Sequence, residues 1–309
     1  MVKQLSNQSK WKPWKGVALF IITMLWIVLG TILQKFIGIP GLLVTQLGFL
    51  AIGVIFCLTH KTSPKEVFPI KKVTFRDVAG AILMLIGSFP IGIMTTFLMG
   101  IIMPDTYNNV VNGLTTESVS TSIILLTFIG MVILPPICEE ALCRGAFLSN
   151  FRGLKKEWAI MIIVGVMFGI MHGDPIRFFN TAIFGVITSY IILKRENIFL
   201  TVLIHFINNF FTVGISLLLS LATAGATEGM EIAEESMDVA SSLSAALPVT
   251  MILFFLSPVV IALGAHLISR QREISTGEAS KGLKFGHKMI ISSIASVALL
   301  AGGIAMLVI

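Results

Sequence analysis

The 31 residues from Thr121 to Phe151 decide how this chain folds, and they read TSIILLTFIGMVILPPICEEALCRGAFLSNF. They are apolar on both sides of the Pro135-Pro136 pair. At about 1.5 Å of rise per residue, a helix of this length extends about 46 Å. That is longer than the hydrocarbon core of a bilayer, which is about 30 Å thick. The stretch therefore predicts a tilted, kinked helix that crosses a membrane.

The rest of the chain has the same character. Hydrophobic residues make up 55% of it, charged residues 12%, and the mean hydropathy is +0.94. Soluble domains carry about 25% charged residues, so the main solvent of this chain is a bilayer. We predict an all-α, polytopic transmembrane helix bundle with about 8–9 spanning helices. The other predicted spans are Gly16 to Phe36, Gly41 to Thr59, Val78 to Met103, Trp158 to His172, Phe178 to Leu193, Ile198 to Leu221, Leu247 to Ile268 and Met289 to Ile309.

The distribution of Lys and Arg predicts the orientation, because short cytoplasmic loops carry an excess of both. Basic residues precede the first span and follow every even-numbered one, whereas the loops at 104–120 and 222–246 contain acids and no base. We expect a cytoplasmic amino terminus and a location in the plasma membrane. The basic residues that give the net charge of +6 lie next to the ends of the predicted spans. Their natural partner is anionic membrane lipid, and no nucleic acid is expected.

Ionisable residues occur within the central span. Inserting each such residue into the membrane costs about 2.5–3.5 kcal/mol, so its presence there calls for a structural or functional explanation. Arg144 lies one helical turn after Glu140 and can pair with it, which leaves Glu139 as an acid without a cation. Counting back from Arg152 places Glu139 about 20 Å deep. The alternative is a solvated cytoplasmic helix end. The apolar residues that follow Glu140 favour the buried interpretation.

Two further motifs, each with a histidine, lie in later spans. Phe168 precedes His172 by one helical turn, and His205 precedes Asn209 by one turn. Either histidine alone is as easily explained by packing. Together with the acids they provide groups that can activate water and stabilise an oxyanion. We therefore expect all of these polar residues to converge in one cavity.

These three motifs resemble a known family. The order Glu-Glu-x-x-x-Arg, Phe-x-x-x-His and His-x-x-x-Asn on successive membrane helices is similar to that of the CAAX protease and bacteriocin-processing enzyme (CPBP, or Abi) family of intramembrane proteases. The resemblance covers Thr121 to about Leu217. It implies an intramembrane endopeptidase that cleaves a membrane-associated, prenylated or other peptide substrate, or a membrane protein.

The resemblance also implies a role for each motif residue. Glu139 and His172 would activate the attacking water, and His205 and Asn209 would stabilise the oxyanion. Glu140 and Arg144 would support the acids. Glu139, His172 and His205 could also hold a divalent metal such as zinc in a metalloendopeptidase, or work without metal as a glutamate protease. The residues leave this choice open.

The resemblance completes the predicted organisation of the chain. Residues 1–120 would form about three N-terminal membrane helices, and residues 121–221 the catalytic core. Residues 222–246 would form an acidic external loop, and residues 247–309 the C-terminal membrane helices. Two alternatives are a non-catalytic membrane scaffold or immunity factor, and a proton-linked transporter, because buried Glu, His and Arg also build proton relays. The three cysteines are expected to pack as small apolar residues, without a disulfide.

Overall fold

The computed structural model describes residues 11–60, 62–107, 121–215, 217–218, 239–276, 287 and 289–297. Helices account for nearly all of them, and Ile70 and Asn197 form an isolated antiparallel bridge. The helices are α1 Pro13–Ile37, α2 Ile39–Thr59, α3 Pro64–Val67, α4 Phe75–Ile102, α5 Thr121–Phe151, α6 Glu157–Met171, α7 Pro175–Arg195, α8 Ile198–Gly214 and α9 Val239–Thr276. Residues 289–297 are helical as well.

The predicted all-α polytopic membrane bundle is confirmed, although fewer helices than expected can span a bilayer by themselves. Within the described residues, six helices are long and apolar enough to do so: α1, α2, α4, α5, α7 and the part of α9 from Val249 to Ser269. The helices α6 and α8 are apolar but shorter. The 15 residues of α6 extend only about 22 Å, less than the thickness of the hydrocarbon core.

The described part of α9 already includes Val239, eight residues before the predicted start of the span at Leu247, and its membrane-spanning part Val249–Ser269 agrees with the predicted Leu247 to Ile268. Residues 215, 217 and 218 are helical beyond Gly214, and the predicted end of the α8 span at Leu221 lies outside the described residues. Residues 239–247 contain Ala and Leu with no glycine or proline, so they continue the helix. The predicted external loop is therefore partly helical, and residues 222–238 lie outside the described residues. Most of the predicted ninth span, residues 298–309, also lies outside them.

Helix α5 is not a regular α-helix. It widens into π-helical turns at Ile129–Ile133 and Ala141–Phe147. Between them, Pro135 and Pro136 stand in the first turn of the α-helical segment Leu134–Glu140. Proline has no backbone N–H and disrupts the bonding of the preceding turn. The proline pair thus accounts for the irregular bonding of the turn before it, and the two acids stand at the end of the segment that it begins.

Close helix contacts bring the polar motifs together. A Cβ atom on Gly185 of α7 would lie 2.8 Å from the Cα of Gly165 in α6, so only glycine permits this approach. Gly169 lies against Phe178 in the same helix pair. Gly173 forms the turn between the two helices with a φ of +62°, a conformation that favours glycine. Helices α6 and α7 therefore approach each other closely.

Three basic loops meet at one end of the bundle. The amide of Lys71 donates to the carbonyl of Glu196 over 3.0 Å. Arg195 pairs with Asp77 over 2.7 Å, and Lys194 pairs with Glu157. Loops that the charge pattern assigns to one side of the membrane are thus in contact.

We predict that this end faces the cytoplasm, since the Lys and Arg excess marks cytoplasmic loops. Cysteines introduced at the exposed positions Gly153 and Asp105 would test it by labelling with a membrane-impermeant thiol reagent. Asp105→Cys should react in intact cells, and Gly153→Cys only after permeabilisation. The native cysteines are buried and provide the unreactive background. The reverse pattern would contradict the orientation.

Candidate active site

The centre of the site is an ion pair between Glu140 and Arg144, both 0% exposed. Arg144 Nη1 lies 2.9 Å from Glu140 Oε1. Arg144 Nη2 donates to the carbonyl oxygen of Gly185 over 3.3 Å and to the hydroxyl of Thr188. The guanidinium carbon lies 4.5 Å from the centre of the Phe168 ring. A guanidinium that binds a carboxylate, two further acceptors and an aromatic face ties α5 to α6 and α7.

His205 extends the ion pair to α8. Its Nδ1 lies 3.0 Å from Glu140 Oε1, and its side chain is almost fully buried. Because a carboxylate that is paired with arginine accepts hydrogen bonds, Nδ1 carries the proton of this contact. The other nitrogen, Nε2, faces Glu139 and lies 3.9 Å from its Oε2. The imidazole therefore stands between the two acids, with its Nδ1–H held by Glu140.

Glu139 has a different set of partners from Glu140. Gln46 in α2 donates from Nε2 to Glu139 Oε1 over 3.0 Å, and both residues are buried. Oε2 faces His205 over a distance too long for a direct hydrogen bond. Of the two acids, Glu139 is thus the one without an arginine, as the sequence predicted.

His172 follows the last residue of α6. Its Nδ1 lies 2.9 Å from the carbonyl oxygen of Phe168. Since a carbonyl only accepts, Nδ1 carries the proton and Nε2 of the neutral ring is an acceptor. The Phe168 ring centre lies 4.8 Å from the His172 ring and 5.8 Å from the His205 ring. The Phe168 ring therefore packs against both imidazoles.

Asn209 lies one turn beyond His205 but is directed elsewhere. Its Nδ2 donates to the carbonyl oxygen of Met131 in α5 over 3.0 Å, and its Oδ1 accepts from Asn208. Met131 stands eight residues before Glu139 in the sequence. The structure therefore brings Glu139, Glu140, Arg144, His172 and His205 together, while the amide of Asn209 is bound to the backbone of the kinked turn.

Sequence reasoning missed two partners of the site, Gln46 and Thr188. Each is a polar side chain within a predicted span, and that signal was present in the sequence. Neither belongs to one of the three motifs, so spacing alone did not connect them to the acids. The cysteines pack as expected: all three are buried and free, and the Cys143 thiol lies 3.6 Å from the Met171 sulfur.

The described residues do not form a metal site. No three His, Cys, Asp or Glu side chains among them converge in a way that could hold a metal ion. Glu139, His172 and His205 are therefore not brought to the ligand distances of a zinc site in this structure. Each histidine has its Nδ1 in a short contact, His172 with a carbonyl and His205 with Glu140, and Nε2 is the remaining nitrogen of each ring.

A family model matches the part of the chain that contains these residues. Residues 121–211 match the type II CAAX prenyl endopeptidase Rce1-like family. The chain therefore contains a domain of this CPBP/Abi protease family and is an integral membrane protein. No curated protein and no solved structure gives a match to the chain. The family domain includes every predicted site residue, whereas Gln46 lies outside it.

Removing Arg144 should destabilise the protein strongly. Arg144→Ala leaves the buried Glu140 carboxylate without its cation, which costs about 3–5 kcal/mol. Lys194→Met breaks the more exposed pair with Glu157 and should cost about 0–1 kcal/mol. Thermal unfolding of both purified variants in one detergent would measure this. Equal melting temperatures would contradict a structural role for the buried pair.

Removing the donor of Gln46 should lower activity more than stability. Gln46→Leu keeps an apolar side chain of similar size but takes away the hydrogen bond that holds Glu139, so we expect a loss in kcat on the order of 10-fold. Thr45→Val is the matched control, because Thr45 bonds to its own helix at Gly41. Peptide cleavage per folded molecule gives the readout. Unchanged kcat in Gln46→Leu would show that Glu139 does not depend on this contact.

Proposed function

We propose that this protein is an intramembrane endopeptidase that hydrolyses a peptide bond in a membrane-associated substrate with a water activated by Glu139 and His172. The observation that carries the proposal is the separation of the two acids. Glu140 is bound to Arg144 and His205, whereas Glu139 is held at one oxygen by Gln46 and has the other directed towards His205. An ionised carboxylate oriented in this way is suited to accept a proton from water.

The charges of the site support this assignment. In the proposed reaction His205 carries a second proton on Nε2, so that two carboxylates face one guanidinium and one imidazolium and the cluster is neutral. A neutral cluster avoids the cost of a buried uncompensated charge. A protonated His205 donates from Nδ1 to Glu140, and its Nε2–H points to the side of Glu139. His172 provides a hydrogen-bond acceptor instead of a donor, because the contact of its Nδ1 with the Phe168 carbonyl leaves Nε2 as an acceptor.

The proposed reaction uses these groups in two steps. The oxygen of a water bound at Glu139 Oε2 attacks the carbonyl carbon of the scissile bond, and its proton passes to Glu139 or His172. His205 Nε2–H stabilises the oxyanion that forms. The tetrahedral intermediate then collapses, the C–N bond breaks, and the proton held by the base passes to the leaving amine. No step requires a metal.

The family match supports a proposal for the substrate class. The family's name specifies prenylated substrates with a C-terminal CAAX motif, and we propose a prenylated or other membrane-associated peptide, or a membrane protein, for this chain. The site supports such a substrate, because it lies among helices that cross the bilayer, where a substrate with a lipid anchor is concentrated. A farnesylated peptide that ends in a CAAX motif is the first probe.

Removing either proposed base should abolish cleavage. Glu139→Ala and His172→Ala should each lower the rate by about 10²–10⁴-fold, because each takes away a proton acceptor. His60→Ala is the matched control, since His60 stacks on Phe56 in α2, outside the site. Mass spectrometry of the probe incubated with purified protein measures the product.

A second experiment separates a wrong substrate from a wrong function. New peptide amino termini would be compared in membranes from cells that express the wild type or Glu139→Ala. If neither the probe nor any membrane protein is cut in a manner that requires Glu139, the protein is a scaffold or transporter and not a protease. Activity that disappears on chelation and returns with zinc would contradict the metal-free reaction.

A further inference from the structure

One carbonyl group in α5 has lost its backbone hydrogen-bond donors. In an α-helix the carbonyl of Met131 accepts from residue 135, and in a π-helical turn from residue 136. Both residues are proline, which has no N–H. The N–H of Leu134, the next nearest donor, is bonded to the carbonyl of Ile129. The Met131 carbonyl therefore needs a donor from elsewhere.

Asn209 of α8 supplies that donor. Its Nδ2 lies 3.0 Å from the Met131 oxygen. Within hydrocarbon, where water cannot replace a lost bond, a backbone carbonyl must be satisfied inside the protein. Polar side chains of neighbouring helices are one way in which membrane proteins tolerate proline within a span. The amide of Asn209 thus donates the hydrogen bond that a backbone N–H of residue 135 or 136 would otherwise give to the Met131 carbonyl.

This bond lies beside the segment that carries the acids. Pro135 and Pro136 begin the helical segment that ends at Glu140. Helix α8 binds α5 on both sides of that segment, through Asn209 before it and through His205 and Glu140 at its end. A shift of the kinked turn would change the direction of the segment and with it the position of Glu139 relative to His205.

We infer that Asn209 is a positioning residue whose amide replaces the donors removed by Pro135 and Pro136 and so holds Glu139 in place. This differs from the oxyanion role that the resemblance implies, in which the amide would contact the substrate. The expected change in kcat rests on the proposed function. The expected change in Tm, which reports the hydrogen bond to the Met131 carbonyl, does not.

A double-mutant cycle tests the inference. Asn209→Leu removes the donor and should lower both Tm and kcat, the latter by about 10²-fold through misplacement of Glu139, with little change in KM. Pro135→Ala returns a backbone N–H to the Met131 carbonyl. In the Pro135→Ala background, Asn209→Leu should therefore have little further effect on Tm or kcat. Thr212→Val, which removes an exposed hydroxyl bonded within α8, is the control.

Each other outcome of the cycle overturns the inference. If Tm is restored in the double variant but kcat stays about 10²-fold below that of Pro135→Ala alone, Asn209 contacts the reacting groups directly. If the losses in Tm simply add, the amide does not replace the backbone donor. Should Pro135→Ala not fold, Pro136→Ala offers the same carbonyl a π-helical donor. If the wild type does not cleave the farnesylated peptide, the Tm cycle still decides the structural claim, and the proposed substrate fails separately.

Discussion

A buried charge in hydrocarbon must be compensated by protein, and the contacts of Arg144 meet this requirement for the whole site. Its guanidinium binds Glu140 of its own helix, a carbonyl and a hydroxyl of α7, and the ring of Phe168 in α6. Removing any one partner leaves a charge or a donor unpaired where water is scarce. The ion pair therefore fixes how three helices pack, and it also determines which of the two neighbouring glutamates remains available for chemistry.

The proline pair adds a second constraint on the same helix. A regular α-helix places consecutive residues about 100° apart, so the two acids of α5 face different partners: Glu140 faces His205 of α8, and Glu139 faces Gln46 of α2. The kink and the π-helical turns on either side set the direction of this segment. The two prolines also leave the Met131 carbonyl without a backbone donor, and Asn209 of α8 donates to it instead. The irregular backbone of α5 thus orients the two acids, and a side chain of a neighbouring helix stabilises that backbone.

Much of this arrangement follows from the sequence, because hydropathy, charge placement and helical spacing are local properties. The membrane bundle, the pairing of Glu140 with Arg144 and the approach of His205 to the acids are all visible in residue types and intervals. The partners of Glu139 and Asn209 are not. Gln46 is 93 residues from Glu139, and Met131 is 78 residues from Asn209. Such contacts depend on the angles at which helices cross and on the π-helical turns of α5. The spacing of residues within one helix does not predict either of them.

The central claim is that two adjacent carboxylates have different tasks: Glu140 holds the helices together and Glu139 acts on the substrate. Glu139→Gln and Glu140→Gln, purified side by side, test it most directly when cleavage per folded molecule and thermal unfolding are measured on the same samples. The account predicts that Glu139→Gln keeps the wild-type Tm and loses about 10²–10⁴-fold in rate. It predicts that Glu140→Gln lowers Tm, because Arg144 and His205 lose the charge that they bind. Full cleavage by a stably folded Glu139→Gln variant would contradict the account.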